Sequence, residues 1–236
     1  MMNGQNAGFF SSIPVVTRNL LIINVIFWLA SITLPRIGID LVEFLGLHIP
    51  GAVHFNPIQF VSYMFMHDTH SITHLFFNMF AIYMFGRILE MEWGSKRFLI
   101  FYLITGVGAG LVQELTWLWS LRDVIIAPIE MVNTGAEVIS KKEFLDYFVT
   151  IGASGAVFGI LLAFGMKFPN IPLYIMFIPI PVKAKYVVIG YGLIELFAGI
   201  IQVNGDSVAH FAHLGGMLFG YLLMLYWKKK DGRVFH

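Results

Sequence analysis

The chain has 236 residues, of which 58% are apolar and only 12% are charged, and its formal net charge is +1. A soluble domain carries about 25% charged residues, so the composition excludes an ordinary soluble protein and indicates lipid as the solvent. The absence of cysteine excludes disulfides and thiolate chemistry. The small net charge, with no basic stripe outside the membrane flanks, excludes nucleic acid as a general partner.

Six stretches of the chain are apolar over lengths that approach the ~20 residues of a membrane-spanning helix. In chain order they cover residues 19–34, 72–89, 98–118, 151–166, 186–201 and 208–227. The shorter stretches can be accommodated by local thinning of the bilayer. The sequence therefore predicts an all-α membrane protein with six transmembrane helices, forming a single membrane domain over residues 1–236.

Basic residues are distributed unevenly around these spans. Eleven of the 15 Lys and Arg residues flank the N-terminus, the connections after the second and fourth spans, and the C-terminus, and the other four lie in the remaining loops. The positive-inside rule then predicts that both termini are cytoplasmic. Two long loops, at about residues 36–71 and 119–150, are predicted outside, where they either cover an outward-facing site or form ordinary surface loops.

Four polar side chains share one predicted depth near the outer ends of the second, fourth and sixth spans. They are His74, Asn78, Ser154 and His213. Polar groups inside a membrane are costly and usually have a function. At 1.5 Å per residue, Ser154 and His213 lie roughly 5–10 Å below the outer boundary. His74 and Asn78 are four residues apart and therefore share one helix face.

These residue types predict a hydrolase built inside the bilayer. A serine hydroxyl becomes a strong nucleophile when an imidazole accepts its proton, which assigns Ser154 and His213 to a catalytic pair. The tetrahedral intermediate needs hydrogen-bond donors at its oxyanion, and His74, Asn78 and the backbone N–H of Ser154 can supply them. The pair needs no cofactor and no metal. Because hydrolysis needs water, the site is expected to open to the outer aqueous phase.

Helix packing is an alternative explanation for several of these positions. The small residues at 152–155, and the G-x-x-x-G pair Gly216 and Gly220, are typical of closely packed membrane helices. Asn78 can join helices by hydrogen bonding without any catalytic role. The G-x-S-x-G elbow of soluble hydrolases is not satisfied, because Ala156 replaces its last glycine. Packing does not require four polar groups at one depth, however, and this convergence favours catalysis.

A metal transporter or membrane metalloenzyme is a second alternative. The candidate ligands are the histidines near the outer ends of the spans: His67, His70, His74, His210 and His213. The chain contains no H-E-x-x-H motif, and no acidic ligand is predicted at the level of this cluster. The sequence therefore favours a site without metal.

Taken together, the motifs resemble those of the rhomboid family of intramembrane serine proteases, from about Asn56 onward. The family's G-x-S-G corresponds to residues 152–155 and its A-H-x-x-G to residues 212–216. Its H-x-x-x-N corresponds to residues 74–78, and its E-x-x-x-G-x-x-R-F to residues 90–98. Where the family tends to have Trp-Arg before the second span, this chain has Ile58-Gln59.

The resemblance implies a compact rhomboid-like bundle and a role for each matching residue. Ser154 corresponds to the nucleophile, His213 to the general base, and His74 and Asn78 to the groups that stabilise the oxyanion. Three further residues are implied to support the site: Gly152, Phe158 as an aromatic packed on the histidine, and Gly216 as the small residue between the fourth and sixth spans. The family's pair has no acidic third member, and neither Glu195 nor Asp206 is expected to orient His213.

The activity implied by the resemblance is hydrolysis of peptide bonds in or near transmembrane helices of other membrane proteins. The implied location is a cell membrane, in the form of a bacterial inner membrane, with the site open to the outer side. A non-catalytic rhomboid-like protein that binds transmembrane helices is the alternative within the same family. The sequence gives no oligomeric state.

Overall fold

A computed structural model describes residues 12–174, 180–201 and 208–231, and most of them are helical. The helices are α1 (Val15–Thr33), α2 (Leu41–Leu45), α3 (Gln59–Ser62), α4 (Ile72–Ala81), α5 (Arg87–Trp93), α6 (Ser95–Ser120), α7 (Arg122–Ile126), α8 (Lys141–Asp146), α9 (Ser154–Lys167), α10 (Ala184–Ile201) and α11 (His210–Asp231). The short strands are β1 (Leu47–His48), β2 (Met131–Asn133), β3 (Val138–Ser140), β4 (Val149–Thr150), β5 (Pro172–Leu173) and β6 (Val182–Lys183). They form three antiparallel pairs, β1 with β4, β2 with β3, and β5 with β6.

The predicted all-α membrane fold is confirmed, and the chain is a multi-pass membrane protein. Four helical segments within the described residues are long and apolar enough to cross a bilayer: Val15–Ile37, Ile72–Trp93, Ser95–Ser120 and Ala184–Ile201. The other two predicted spans correspond to α9, which has 14 residues, and to α11, which has 22 residues. The count of six spans and the cytoplasmic placement of both termini stay predictions.

Apolar side chains cover the outside of the bundle as well as its interior. Ile26 on α1 and both Ile194 and Phe197 on α10 are each more than half exposed. In water such surfaces would promote association, whereas lipid solvates them without cost. The outward-facing apolar residues therefore agree with a bundle surrounded by lipid.

Helix α11 packs against α6 and α9 through small residues. A β carbon added at Gly159 would lie 3.0 Å from the carbonyl oxygen of Gly216, and one added at Gly215 would lie 2.7 Å from Val112. A β carbon at Gly220 would lie 3.4 Å from the Cα of Gly159. The backbones therefore approach more closely than larger residues would allow, as expected for glycine-rich membrane helices. This close contact agrees with the packing role predicted for the G-x-x-x-G pair.

Glu90 joins α1 to the turn between α5 and α6. One oxygen of its carboxylate accepts hydrogen bonds from the backbone N–H of Val16 at 2.9 Å and from the hydroxyl of Ser95 at 2.6 Å. The other accepts from the backbone N–H and the hydroxyl of Thr17, each at 2.7 Å. Gly94 forms the turn with φ +81°, which glycine adopts at least cost. The E-x-x-x-G motif thus satisfies two N–H groups at the start of α1 that lack intrahelical acceptors.

The two predicted outer loops contact each other. Strands β1 and β4 pair antiparallel, with Leu47 opposite Thr150 and His48 opposite Val149. Asp146, at the end of α8, lies 3.5 Å from Nδ1 of His48. Since β4 ends shortly before α9, the first outer segment is tied directly to the chain that enters the fourth predicted span.

Gln59 secures the first outer segment at the place where the family tends to have Trp-Arg. Its side chain is buried and its oxygen accepts from the backbone N–H groups of His48, at 3.3 Å, and Asn56, at 3.0 Å. Its amide nitrogen donates to the carbonyl oxygens of Phe44 at 3.2 Å and His54 at 2.7 Å. A neutral amide therefore holds this segment through four hydrogen bonds.

Candidate active site

Ser154 and His213 are in direct contact. Ser154 is the first residue of α9 and is partly exposed, while His213, on α11, is buried. Nε2 of the imidazole lies 2.8 Å from Oγ of the serine. The backbone N–H of Ser154 lies in the first turn of a helix, where amides have no intrahelical acceptor. A nucleophile, a base and one oxyanion donor can therefore act on the same carbonyl group.

Glycine residues allow the two helices that carry this pair to meet. A β carbon at Gly216 would lie 1.8 Å from the carbonyl oxygen of Gly155, which follows Ser154 in the chain. A β carbon at Gly155 would in turn lie 2.4 Å from Cβ of Ala109 on α6. Both positions exclude any larger residue unless the helices move apart. The close approach keeps His213 within hydrogen-bond distance of Ser154.

One aromatic ring stacks on the imidazole of His213, and a second ring packs against the first. Phe158, one turn beyond Ser154 on α9, stacks on it with the ring centroids 4.2 Å apart and the planes 10° apart. Tyr191, on α10, packs edge-on against Phe158 with the centroids 6.3 Å apart. A stacked ring limits rotation of the imidazole, so Phe158 orients Nε2 toward Ser154. The sequence gives no signal for Tyr191, whose contact depends on how α10 packs against α9.

His74 faces the backbone that precedes Ser154. Its Nδ1 accepts a hydrogen bond from the backbone N–H of Asp68 at 3.3 Å, so a neutral ring carries its proton on Nε2. A β carbon at Gly152 would lie 3.0 Å from Nε2 of His74 and 3.6 Å from Oγ of Ser154. Gly152 has φ +126°, and its N–H donates to the carbonyl oxygen of Tyr63 at 2.9 Å. Glycine at this position therefore leaves open the space between Nε2 of His74 and Oγ of Ser154.

Asn78 lies buried on α4, one turn after His74. Its amide nitrogen donates to the carbonyl oxygen of His74 at 2.8 Å. This bond fixes the amide on its own helix, and the second N–H of the amide group can bind another acceptor. His74 and Asn78 are therefore held together on one face of α4.

The expectation that Glu195 is not placed to orient His213 is wrong. Oε2 of Glu195, on α10, lies 2.9 Å from Nδ1 of His213 and 2.6 Å from Nδ1 of His210. The expectation that no acidic group lies level with the histidines is wrong for the same reason. The missed signal was an acidic residue in an otherwise apolar span, which needs a partner inside the membrane. Asp206, the other acidic residue considered, lies outside the described residues.

The histidines considered as metal ligands are separated into different groups. The rings of His67 and His74 lie 5.1 Å apart, and His70 is exposed. His210 and His213 instead join Glu195, and in the described part of the chain these three have ligand atoms within 4.8 Å of one another. Tetrahedral zinc with bonds of ~2.1 Å needs ligand atoms ~3.4 Å apart. The separations around Oε2, 2.6 Å and 2.9 Å, are shorter than this and have the length of ion pairs between a carboxylate and imidazoles.

The fold and the site together define a polytopic membrane protein with a serine–histidine pair enclosed between helices. A family profile described as Rhomboid domain matches residues 54–230. The chain belongs to the rhomboid family, as the motifs indicated.

Three relatives illustrate the range of the family. Rhomboid protease AarA of Providencia stuartii is 29% identical over 165 residues, which cover 65% of this chain and 50% of the relative. Rhomboid-like protein 11, chloroplastic, of Arabidopsis thaliana is 29% identical over 186 residues, covering 70% of this chain and 51% of the relative. Rhomboid protein 1, mitochondrial, of Saccharomyces cerevisiae is 27% identical over 156 residues, covering 66% of this chain and 38% of the relative. The matches therefore span about half, or less, of these relatives' lengths.

Proposed function

We propose that the protein is an intramembrane serine protease in which His213 activates Ser154. The observation that carries this proposal is the 2.8 Å separation between Nε2 of His213 and Oγ of Ser154. The similarity to a relative named as a protease, Rhomboid protease AarA, supports it. The substrates are peptide bonds in or near transmembrane helices of other membrane proteins.

The reaction has two proton-transfer stages. His213 accepts the hydroxyl proton of Ser154 on Nε2 while Oγ attacks the substrate carbonyl, and the resulting imidazolium donates that proton to the leaving amine. A water molecule then attacks the acyl-enzyme, with His213 acting first as base and then as acid. At the end of the cycle Ser154 and His213 have regained their starting protonation states. The reaction therefore consumes no cofactor and no metal.

Three donors stabilise the negative oxygen of the tetrahedral intermediate. They are the backbone N–H of Ser154, Nε2–H of His74 and the second amide N–H of Asn78. The hydrogen bond from Asp68 to Nδ1 of His74 supports this role, because it selects the ring form with the proton on Nε2. Removal of one such donor in other enzymes costs about 10²–10³-fold in rate.

The length of α9 supports a site below the membrane surface. Its 14 residues rise only ~21 Å, about 9 Å less than a hydrocarbon core of ~30 Å. If the C-terminal end of α9 lies at the inner boundary, Ser154 lies beneath the outer one. With both termini in the cytoplasm of a bacterial inner membrane, the site opens outward and receives water from that side. A helical substrate must unwind locally to expose its carbonyls, so helices with Gly, Pro or polar residues near the outer boundary are preferred.

A non-catalytic rhomboid-like protein that binds transmembrane helices is the alternative. Such a protein has no need for a base placed on a serine, a stacked ring on that base, or a donor held in one tautomer. The combination of Phe158 stacking and the Ser154–His213 contact therefore favours the protease.

The decisive experiment compares the purified wild-type protein with the variant Ser154→Ala. The assay follows cleavage of a helical model substrate in liposomes and labelling by a fluorophosphonate probe. Wild type should cleave and label, and the variant should do neither. The matched control is Ser31→Ala, which removes a buried hydroxyl bonded to the carbonyl oxygen of Phe27 in α1 and should keep both activities. Undiminished cleavage by Ser154→Ala, or an inert wild type, would overturn the proposal.

A further inference from the structure

Glu195 is a carboxylate enclosed by the helix bundle. It is the single acidic residue of α10 and is only 8% exposed. An ionised group in such surroundings is costly unless other groups compensate its charge. The compensating groups are two imidazoles, those of His213 and His210.

Ser154, His213, Glu195 and His210 form a chain of successive side-chain contacts. Oγ of Ser154 lies 2.8 Å from Nε2 of His213, whose Nδ1 lies 2.9 Å from Oε2 of Glu195. The same Oε2 lies 2.6 Å from Nδ1 of His210. The contact with His213 has the length of an ion pair but lies off the direction of a full hydrogen bond. The order nucleophile, imidazole, carboxylate is that of the triad in soluble serine proteases.

The order of these groups determines which ring nitrogen of neutral His213 carries the proton. To accept the proton of Ser154, Nε2 must be unprotonated, so the single ring proton must sit on Nδ1. Nδ1 faces the carboxylate, which favours that form of the ring. When the proton of Ser154 arrives, the imidazolium also gains an adjacent negative charge.

We propose that Glu195 is a positioning residue that holds His213 with its proton on Nδ1 and stabilises its imidazolium form. This inference rests on the proposed protease function. The proton of Ser154 moves to Nε2 and then to the leaving amine, while Nδ1 keeps its own proton. Glu195 stays ionised throughout, so charge and protons balance over the cycle.

His210 contacts the same carboxylate oxygen as His213. It lines a cavity of about 300 Å³ whose other polar lining includes Gln113, Thr116 and Ser120. A β carbon at Gly199, one turn after Glu195, would lie 3.2 Å from Cβ of His210. Glycine there lets α11 approach α10 closely enough for the short bond to form.

The titratable groups around His213 differ in whether they favour or disfavour a positive charge on its ring. Within the described residues they are Glu195 on α10, His210 on α11 and His74 on α4. The two histidines disfavour a second positive charge, whereas the carboxylate favours it. Replacing Glu195 by a neutral side chain should therefore make the base of the reaction harder to protonate.

The test uses the 236-residue chain and four variants, Glu195→Gln, Glu195→Asp, Ser154→Ala and Glu114→Gln. Glu114 is a buried glutamate on α6 outside the proposed machinery, and Glu114→Gln is the matched control for a glutamate-to-glutamine change within a span. The readouts are kcat, KM and the rate of fluorophosphonate labelling, each measured as a function of pH. Equal folding is checked by thermal unfolding in detergent.

Glu195→Gln should lower kcat roughly 10²-fold with little change in KM, and labelling should slow in parallel. This loss is smaller than the ~10⁴-fold loss in a soluble triad, because the contact is not a full hydrogen bond. The acid limb of the pH profile should move to lower pH. Glu195→Asp should lose only ~10-fold and keep the acid limb of wild type, and Glu114→Gln should match wild type.

Each outcome separates the role of Glu195 from the proposed function. Wild-type kcat and an unmoved acid limb in Glu195→Gln would overturn the inference and leave the protease intact. A slow Glu195→Gln with an unmoved acid limb, and no recovery in Glu195→Asp, would assign Glu195 to packing and also overturn it. If Glu195→Gln does not fold, Glu195→Asp decides alone, because wild-type kcat in that variant contradicts positioning. A wild type that neither cleaves nor labels would overturn the proposed function itself.

Discussion

The backbone of Gly216 on α11 lies against the backbone of Gly155 on α9, so closely that a β carbon at 216 would stand 1.8 Å from the carbonyl oxygen of Gly155. Gly155 follows Ser154 directly, and Gly216 lies nearly one turn after His213. The distance between the proposed nucleophile and its base is therefore set by a contact between two glycines rather than by either functional side chain.

Gly216→Ala should abolish most of the cleavage activity, because α11 must move away from α9 and carry His213 with it. Overpacking of this kind costs about 1–3 kcal/mol in stability. Cleavage of a helical model substrate and thermal unfolding in detergent provide the measurements. Gly190→Ala is the control, since a β carbon on this residue of α10 meets nothing within 4 Å. Full activity in Gly216→Ala would contradict this account of the interface.

His213→Ala should be inactive, whereas His210→Ala should lose only part of the activity. His210 contacts Glu195 rather than Ser154, and Glu195 still faces His213 when His210 is absent. Cleavage rates of both variants, compared after equal folding is confirmed, test this order. An inactive His210→Ala beside an active His213→Ala would mean that the base is assigned to the wrong histidine.

Asn78→Ala should lower kcat, but less than Ser154→Ala does, because the other oxyanion donors remain. The expected loss is no more than ~10²–10³-fold, the range for one donor. Asn24→Ala is a matched control, since Asn24 is also buried and its amide also donates to a carbonyl four residues earlier, that of Leu20 at 2.7 Å. If both variants keep the kcat of wild type, Asn78 serves only helix packing.

The stability of the protein should fall between pH 6.5 and pH 4 in part because of His67. Burial, followed by the proximity of His74, lowers the pKa of His67 from 6.5 to about 4. In this window the unfolded chain binds a proton at His67 that the folded protein does not, so folding is most favoured above pH 6.5. One such proton changes the free energy of unfolding by up to about 1.4 kcal/mol per pH unit.

Thermal unfolding of His67→Phe across this pH range should show a weaker dependence on pH than wild type. His70→Phe, at an exposed position, should keep the dependence of wild type. Equal slopes in wild type and His67→Phe would show that the buried ring at 67 does not titrate as described.

The sequence motifs predicted the helical membrane fold and brought the residues of the site into one hypothesis. Ser154, His213 and Gly216 stand in short motifs whose residue types follow directly from the chemistry and from close packing. The contact of Glu195 could not be derived in this way, because it depends on the rotation of α10 relative to α11. A single carboxylate in an apolar span indicates a partner but does not say which one.

Segment ends and loop structure were less predictable than the spans. The fourth span was predicted from residue 151, whereas α9 begins at Ser154. Gly152, with φ +126°, cannot continue a helix, and Val149–Thr150 is paired with β1 instead. Strands of two residues have no periodicity to detect. The pairing of β1 with β4 could therefore not be predicted from the pattern of apolar residues.

The pairing of β1 with β4 divides the chain between α6 and α9 into two parts with different tolerance to change in length. Residues from β4 to Ser154 are fixed by partners far earlier in the chain, Leu47–His48 and the carbonyl of Tyr63, so one inserted residue there would displace the serine. The hairpin of β2 and β3 is joined by exposed residues at 134–137, where additional residues extend into solvent. Variation in size among related chains is therefore expected at this hairpin tip, which is also the place to insert a reporter without disturbing the site.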